Sequence, residues 1–233
     1  MAQATGNAKN ILVGASPLFL SVEDSTVTGY VDNMEAGSAL DGTISRNTKV
    51  PAFDSAKSYT SSLNALDTAA GVNGAAYRNV GYTNNGLQIT YNPTYGSVTV
   101  DQLLDTAKLF KESMEVMIAT EMTEGTLENI LVVFGQKKST LSGSTLGIEA
   151  GALGAAPTER QLIAVGQAPT VSSPNSERVY YARRVLSVQQ SQFSLARNNP
   201  TTFPVTFRLL PSGDSAYAGQ EYGKIIDRTW TPA

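Results

Sequence analysis

Apolar and polar positions change their period several times along this chain of 233 residues. Ile11, Val13 and Ala15 alternate with smaller or polar neighbours, and Leu18, Leu20 and Val22 continue the alternation. This predicts extended chain within 1–32, with Pro17 at an edge or a bulge. Residues 33–85 are poor in large aliphatic side chains and read as a loop-rich stretch; Leu63, Leu66 and Ala70 predict one weak helix from Ser58 to Ala70. Leu87, Ile89 and Tyr91 then alternate with Gln88, Thr90 and Asn92, and Val98 and Val100 alternate with Ser97, Thr99 and Asp101. Asn92-Pro93-Thr94-Tyr95-Gly96 between them has the composition of a turn, so a hairpin is expected. A further two-residue period sets Met114, Val116, Ile118 and Thr120 against Glu115, Met117, Ala119 and Glu121.

Leu127, Ile130, Leu131 and Phe134 form one helical stripe, with Thr126 placed to cap it. Residues 137–160 read as loop. Strands are expected at Gln161–Val165, Val179–Leu186, Val188–Leu195 and Phe203–Leu210, and an edge strand at Gly223–Trp230. About eight strands and one convincing helix imply a mainly β domain, a sandwich or barrel with a flanking helix. One segment is ambiguous: Leu103, Ala107, Phe110 and Met114 have helical spacing between two strand-like stretches.

Composition removes most enzymatic chemistry from consideration. Neither cysteine nor histidine occurs, so thiol nucleophiles, disulfides and Ser-His-Asp machinery are excluded, and zinc is not expected. No apolar run approaches the roughly 18–20 residues of a membrane helix, and no signal peptide is evident. Net charge is -3, without the basic surplus of a duplex-DNA binder. The charges are unevenly spread: 5 basic and 7 acidic residues in 1–85, 2 and 7 in 86–135, 10 and 6 in 136–233. An acidic middle and a basic end suit head-to-tail self-association.

No local motif supplies chemistry. Gly219 to Lys224 has three residues between its glycines and Ile225 after the lysine, so it is not a phosphate loop. Ser142-Gly143-Ser144 lacks a histidine base. Asp101 and Asp105 read as a solvated pair, and Arg183-Arg184 as structural salt-bridge partners on opposite strand faces.

From residue 80 onward, ordered blocks carry a resemblance. They are Gly81-Tyr82-Thr83 with Gly86-Leu87-Gln88-Ile89-Thr90-Tyr91, and Val98-Thr99-Val100-Asp101-Gln102-Leu103-Leu104-Asp105 with Leu109-Phe110-Lys111. Thr126-Leu127-Glu128-Asn129-Ile130-Leu131 leads to Gly135-Gln136, and Arg178-Val179-Tyr180-Tyr181-Ala182-Arg183-Arg184 follows. The last are Phe203-Pro204-Val205-Thr206-Phe207-Arg208-Leu209-Leu210-Pro211 and Gly223-Lys224-Ile225-Ile226-Asp227-Arg228. In order and spacing these resemble the major tail tube proteins of long, non-contractile-tailed bacteriophages, especially those of actinobacteria. The resemblance covers about two-thirds of the chain; the N-terminal third matches chiefly in the strand from Asn10 to Leu20.

The resemblance implies one tail tube domain over 1–233: an N-terminal arm and strand (1–32), a divergent insertion (33–80) and a β-sandwich core (81–233) with the helix at 126–134. It implies a structural virion protein, not an enzyme, with no cofactor and no metal. Hexameric rings stack head-to-tail on a tape-measure protein to form the conduit for genome ejection. Tail terminator and distal tail proteins are the other expected partners, and duplex DNA passes without specific binding. Assembly is expected in the host cytoplasm and residence in the virion tail. Gln88, Thr90, Ser97, Thr99, Asp101, Glu115 and Glu121 are expected to line the lumen, where acidic charge repels phosphates. A strand to about Gln102 and a loop to about Lys111 are expected, with Leu103, Leu104, Leu109 and Phe110 docking on the next ring. In the helix, Leu127, Ile130, Leu131 and Phe134 are expected in the subunit core, and Val132 and Val133 at the ring contact. A capsid-decoration or adhesin-type β-sandwich shares the composition, and a carboxylate-based glycosidase stays open as the enzymatic alternative.

Overall fold

The computed structural model describes residues 16, 18–21, 77–99, 106–153, 157–169, 176–188, 192–195, 197, 200–213 and 217–229. The strands are β1 (Leu18–Ser21), β2 (Tyr77–Asn79), β3 (Thr83–Thr99), β4 (Thr106–Met122), β5 (Leu141–Ser142), β6 (Thr145–Leu146), β7 (Arg160–Gln167), β8 (Ser176–Ser187), β9 (Phe203–Leu209) and β10 (Gly223–Thr229). One α-helix, α1 (Leu127–Val133), follows β4. Eight strands form one antiparallel sheet in the order β2-β1-β7-β8-β9-β4-β3, with β10 also on β8; β5 and β6 make a small separate hairpin. Among the described residues the fold is mainly β with one α-helix, as the patterns imply. Among the described residues no helix is long and apolar enough to cross a membrane.

Burial explains the varied periods. β9 alternates, with Phe203, Val205, Phe207 and Leu209 buried and Arg208 exposed, because only one of its faces is covered. β7 is buried from Arg160 to Gly166, so Leu162, Ile163, Ala164 and Val165 run together without alternation. Leu162 and Ala164 join Leu18, Leu20, Ala182, Phe207 and Leu131 in the main core. Ile163 lies opposite Phe19 and Tyr181, and these three are buried on the other side of the sheet.

β8 changes partner along its length. β10 pairs with Ser176 to Ala182, and β9 with Val185 to Ser187. The ladder to β7 slips a residue at the same place, so Arg183 and Arg184 occupy a bulge. Arg184 makes a two-pronged bond to Glu159, both contacts at 2.7 Å. Arg183 is buried, gives Nε–H to the Gln220 carbonyl at 2.7 Å and stacks 3.9 Å from the Tyr217 ring centre. Burial pulls its guanidinium below its ordinary pKa. Arg184 makes the structural salt bridge read from the sequence, whereas Arg183 is held by a carbonyl and a ring.

The helix is held by a buried amide. Thr126 caps it, its Oγ1 accepting the Asn129 N–H at 3.2 Å. The Asn129 side chain, 0% exposed, donates to the carbonyls of Val80 at 2.9 Å and Glu124 at 2.8 Å. Those carbonyls lie just before β3 and just after β4, so one amide joins helix and sheet where both strands begin and end.

Several expectations need correction. The buried helix residues are Asn129, Leu131, Val132 and Val133; Leu127 and Ile130 are half-buried, and Phe134 is 38% exposed. Val132 and Val133 therefore belong to the subunit core and not to a surface kept for a ring contact. The Asn129 anchor turns the helix so that this arc meets the sheet, and Phe134 instead stacks on Phe193. Residues 188 and 192–195 are irregular, not strand, because Phe193 packs between Phe134 and Phe203. Tyr77–Asn79, expected as loop, pairs with β1. The turn at 92–96 and the loop at 106–111 are both strand, because β3 and β4 pair through them. The helix expected at 58–70, most of the insertion, Asp101, Leu103 and Leu104 lie outside the described residues.

Two stability measurements follow. Asn129→Ala strips the donor from two carbonyls, and each buried group left unsatisfied costs about 1–3 kcal/mol; a lower denaturant midpoint is expected. Val132→Asp is expected to lower the midpoint of the dispersed subunit severely, since it buries an unpaired charge. An unchanged midpoint would return Val132 to an interface. The second measurement is an acid titration. Arg178 on β8 hydrogen-bonds Asp227 on β10 at 2.5 and 2.7 Å and holds that carboxyl below its ordinary value. A lowered folded pKa contributes stability above the unfolded carboxylate pKa and loses it as pH falls through the folded value. Both side chains are partly exposed, so the contribution is under about 1 kcal/mol. Asp227→Asn is expected to flatten the acid limb of the stability profile by that amount.

Candidate functional site

The exposed feature of the fold is the ribbon made by β3 and β4. Each strand has 17 residues, about 55 Å of extended chain. The ladder runs from Thr83 opposite Met122 to Thr99 opposite Thr106. β9 meets β4 only from Met117 to Met122. Across residues 107–116 the ribbon thus stands as two strands, with no third strand beside it among the described residues. A two-stranded ribbon alone in water is marginal.

Among the described residues β3 is an edge strand, and it has no charged residue over its whole length. Natural edges are usually blunted by charge, shortness or coverage. A bulge at Asn85 and Gly86 near the root and Pro93 farther out interrupt this edge, and proline in a strand is tolerated where its missing N–H faces outward. β4 carries the ribbon's charge: Lys108, Lys111, Glu112, Glu115 and Glu121.

Cross-strand pairs define the two faces. Ile89, Tyr91 and Pro93 lie opposite Ile118, Val116 and Met114, on the side that enters the core near the root. Farther out this side is uncovered: Tyr91 is 60%, Tyr95 58% and Leu109 65% exposed. Lys111 spans it, with Nζ 2.7 Å from Met114 Sδ and 5.7 Å from the Tyr91 ring centre. Gln88, Thr90 and Asn92 lie opposite Ala119, Met117 and Glu115 on the polar side. Arg208 of β9 approaches Glu115 there at 3.5 Å.

The expected lumen residues therefore separate. Gln88, Thr90, Glu115 and Glu121 share the polar side. Ser97 and Thr99 fall on the side of Tyr91 and Tyr95, because β3 continues where a turn was expected to reset its phase. Leu109 and Phe110, expected to act as a pair, take opposite sides. Phe110 lies opposite Gly96 and covers it; a Cβ at Gly96 would strike the Phe110 ring and the Glu112 carboxyl. The contact is a cross-strand cover of glycine by an aromatic ring.

Two exposed tyrosines, Tyr91 and Tyr95, were missed as surface features; the charge-free run from Thr83 to Thr99 was the available signal. Among the described residues no group of three acidic side chains is placed to hold a metal ion. Neither a protein-family model nor a curated protein matches the chain.

Substitutions at the outer ribbon separate surface from support. Leu109→Ser is expected to leave the denaturant midpoint within about 0.5 kcal/mol, as an exposed position should. Phe110→Ser uncovers Gly96 and is expected to speed hydrogen exchange in residues 95–99 and 106–111, with the global midpoint little changed.

Proposed function

We propose that this chain is a structural, non-enzymatic subunit that assembles with copies of itself through the β3–β4 ribbon, as the tail tube protein of a long, non-contractile phage tail. The observation that carries the reading is the 17-residue edge strand without charge, on a ribbon whose outer part is exposed on both sides. Such an edge aggregates unless another strand completes it. A ring of copies supplies that strand at every junction and leaves no edge open. The β4 edge across residues 107–116 is a second, shorter surface of opposite direction that can pair with the outer part of a neighbour's β3, so each copy offers both halves of one contact.

The ordered sequence blocks from residue 80 onward support the same reading, as does the acidic 86–135 segment beside the basic 136–233 segment. Head-to-tail stacking then gives a filament, because that contact does not close on itself. The polar side, with Gln88, Thr90, Glu115 and Glu121, suits a wall that duplex DNA slides past, since carboxylates repel phosphates. The β-sandwich or barrel form belongs to this reading, with the ribbons of one ring completing a common barrel. So do the tape-measure, tail terminator and distal tail proteins as partners, host-cytoplasm assembly and residence in the virion.

Negative-stain microscopy of the purified protein tests the proposal, with tubes bearing an axial hole as the expected result. Trimers or monomers at high concentration would favour a decoration or adhesin-type protein instead. A sharper test uses proline. Ser97 shares the outward-facing phase of Pro93 by the two-residue strand period. Ser97→Pro is expected to keep the subunit midpoint within about 1 kcal/mol and abolish tubes. Normal tubes from this variant would rule out pairing along that stretch of the edge.

A further inference from the structure

A pocket of about 300 Å³ opens on the polar side of the sheet, where β3, β4 and β9 meet. Its shape comes from an irregularity in β3. Between Asn84 and Gln88 the ladder to β4 slips, and Asn85 and Gly86 both take left-handed φ values, 59° and 67°. Thr120 Oγ1 fastens this bulge by donating to the Gly86 carbonyl at 2.9 Å. The small side chain of Ala119 leaves room beneath it, between Gln88 and Thr206.

The lining determines what such a pocket takes. Asn85, Gln88 and Gln192 contribute carboxamides, and Glu121 contributes a carboxylate whose Oε2 accepts from Asn84 Nδ2 at 3.3 Å. No lysine or arginine lines it among the described residues, so an anion has no counter-charge there. No aromatic ring lines it either, so a sugar has no face to stack on. One negative charge among carboxamides, each of which can turn its oxygen inward, matches a group with several N–H donors and a positive charge.

We propose that this pocket binds a guanidinium or alkylammonium group, with Glu121 as its counter-ion and the carboxamides of Asn85, Gln88 and Gln192 as additional acceptors. The group has two possible sources, a basic side chain of a polypeptide lying on this side of the sheet or a free polyamine. The proposal concerns the single subunit and does not depend on tube formation.

Calorimetric titration of dispersed wild-type subunits with agmatine, at low ionic strength where charge pairing is least screened, tests it. Saturable binding is expected, with none for N-butylurea, which keeps the shape without the charge. Glu121→Gln, which changes one atom, is expected to weaken agmatine about tenfold, the usual scale of a charge-assisted hydrogen bond. Ala119→Leu fills the cavity and is expected to abolish binding; a wild-type denaturant midpoint establishes that each variant is folded. Spermidine and the tripeptide Gly-Arg-Gly separate the sources, the tighter binder naming a polyamine or a side chain. Absence of saturation with all three cations, or unchanged agmatine binding in folded Glu121→Gln, would overturn the proposal.

Discussion

One buried side-chain amide holds the architecture in place. Asn129 spends both of its N–H groups on the carbonyls of Val80 and Glu124. These are the residues through which the chain enters β3 and leaves β4. The ribbon is therefore fixed at its root to a helix that is itself buried against β9, and its outer half projects from a rigid base. The Tyr82 backbone N–H to Glu124 at 2.9 Å and Thr123 bonded twice to the Tyr82 carbonyl complete the same corner. Without the amide, the buried Val80 carbonyl and the part-buried Glu124 carbonyl would lose their donor.

From that root outward, bulges govern which residues meet solvent. Asn85 and Gly86 displace β3, and Glu112 and Ala107 are the extra residues of β4. Each single extra residue of β4 changes which side its later residues take, because a strand has a period of two, whereas the two added in β3 leave its phase unchanged. The extra Glu112 is why the polar side near the root gives way to Phe110 toward the tip; Leu109 and Phe110 diverge simply because they are consecutive in a strand. The same device recurs in β8, where the bulge at Arg183 and Arg184 coincides with the change from β10 to β9. The cost of placing two cations there is offset by Glu159, the Gln220 carbonyl and the Tyr217 ring.

The ribbon also concentrates an imbalance. Its apolar side continues the core beyond the point where the body ends, so Tyr91, Tyr95 and Leu109 extend a buried surface into solvent. A monomeric protein seldom keeps such a surface beside an uncharged edge. The proposed self-assembly relieves both at once, through strand pairing along the edge and burial across the face.

Local chemistry in the sequence determined the mainly β class, the helix with its Thr126 cap, the β9 alternation and the acidic middle segment, because each depends on neighbours within a few residues. Tertiary structure decided the rest. Asn92-Pro93-Thr94-Tyr95-Gly96 has turn residues, yet an edge strand tolerates its proline and Phe110 covers its glycine, so the chain runs straight. The helical spacing of Ala107, Phe110 and Met114 arises from a strand with extra residues at 107 and 112, which no local period distinguishes from a helix. The buried helix arc was set by Asn129, whose partners lie 49 residues earlier at Val80 and 5 earlier at Glu124. Which residues face a core depends on where distant carbonyls and rings lie, and that is a property of the folded chain.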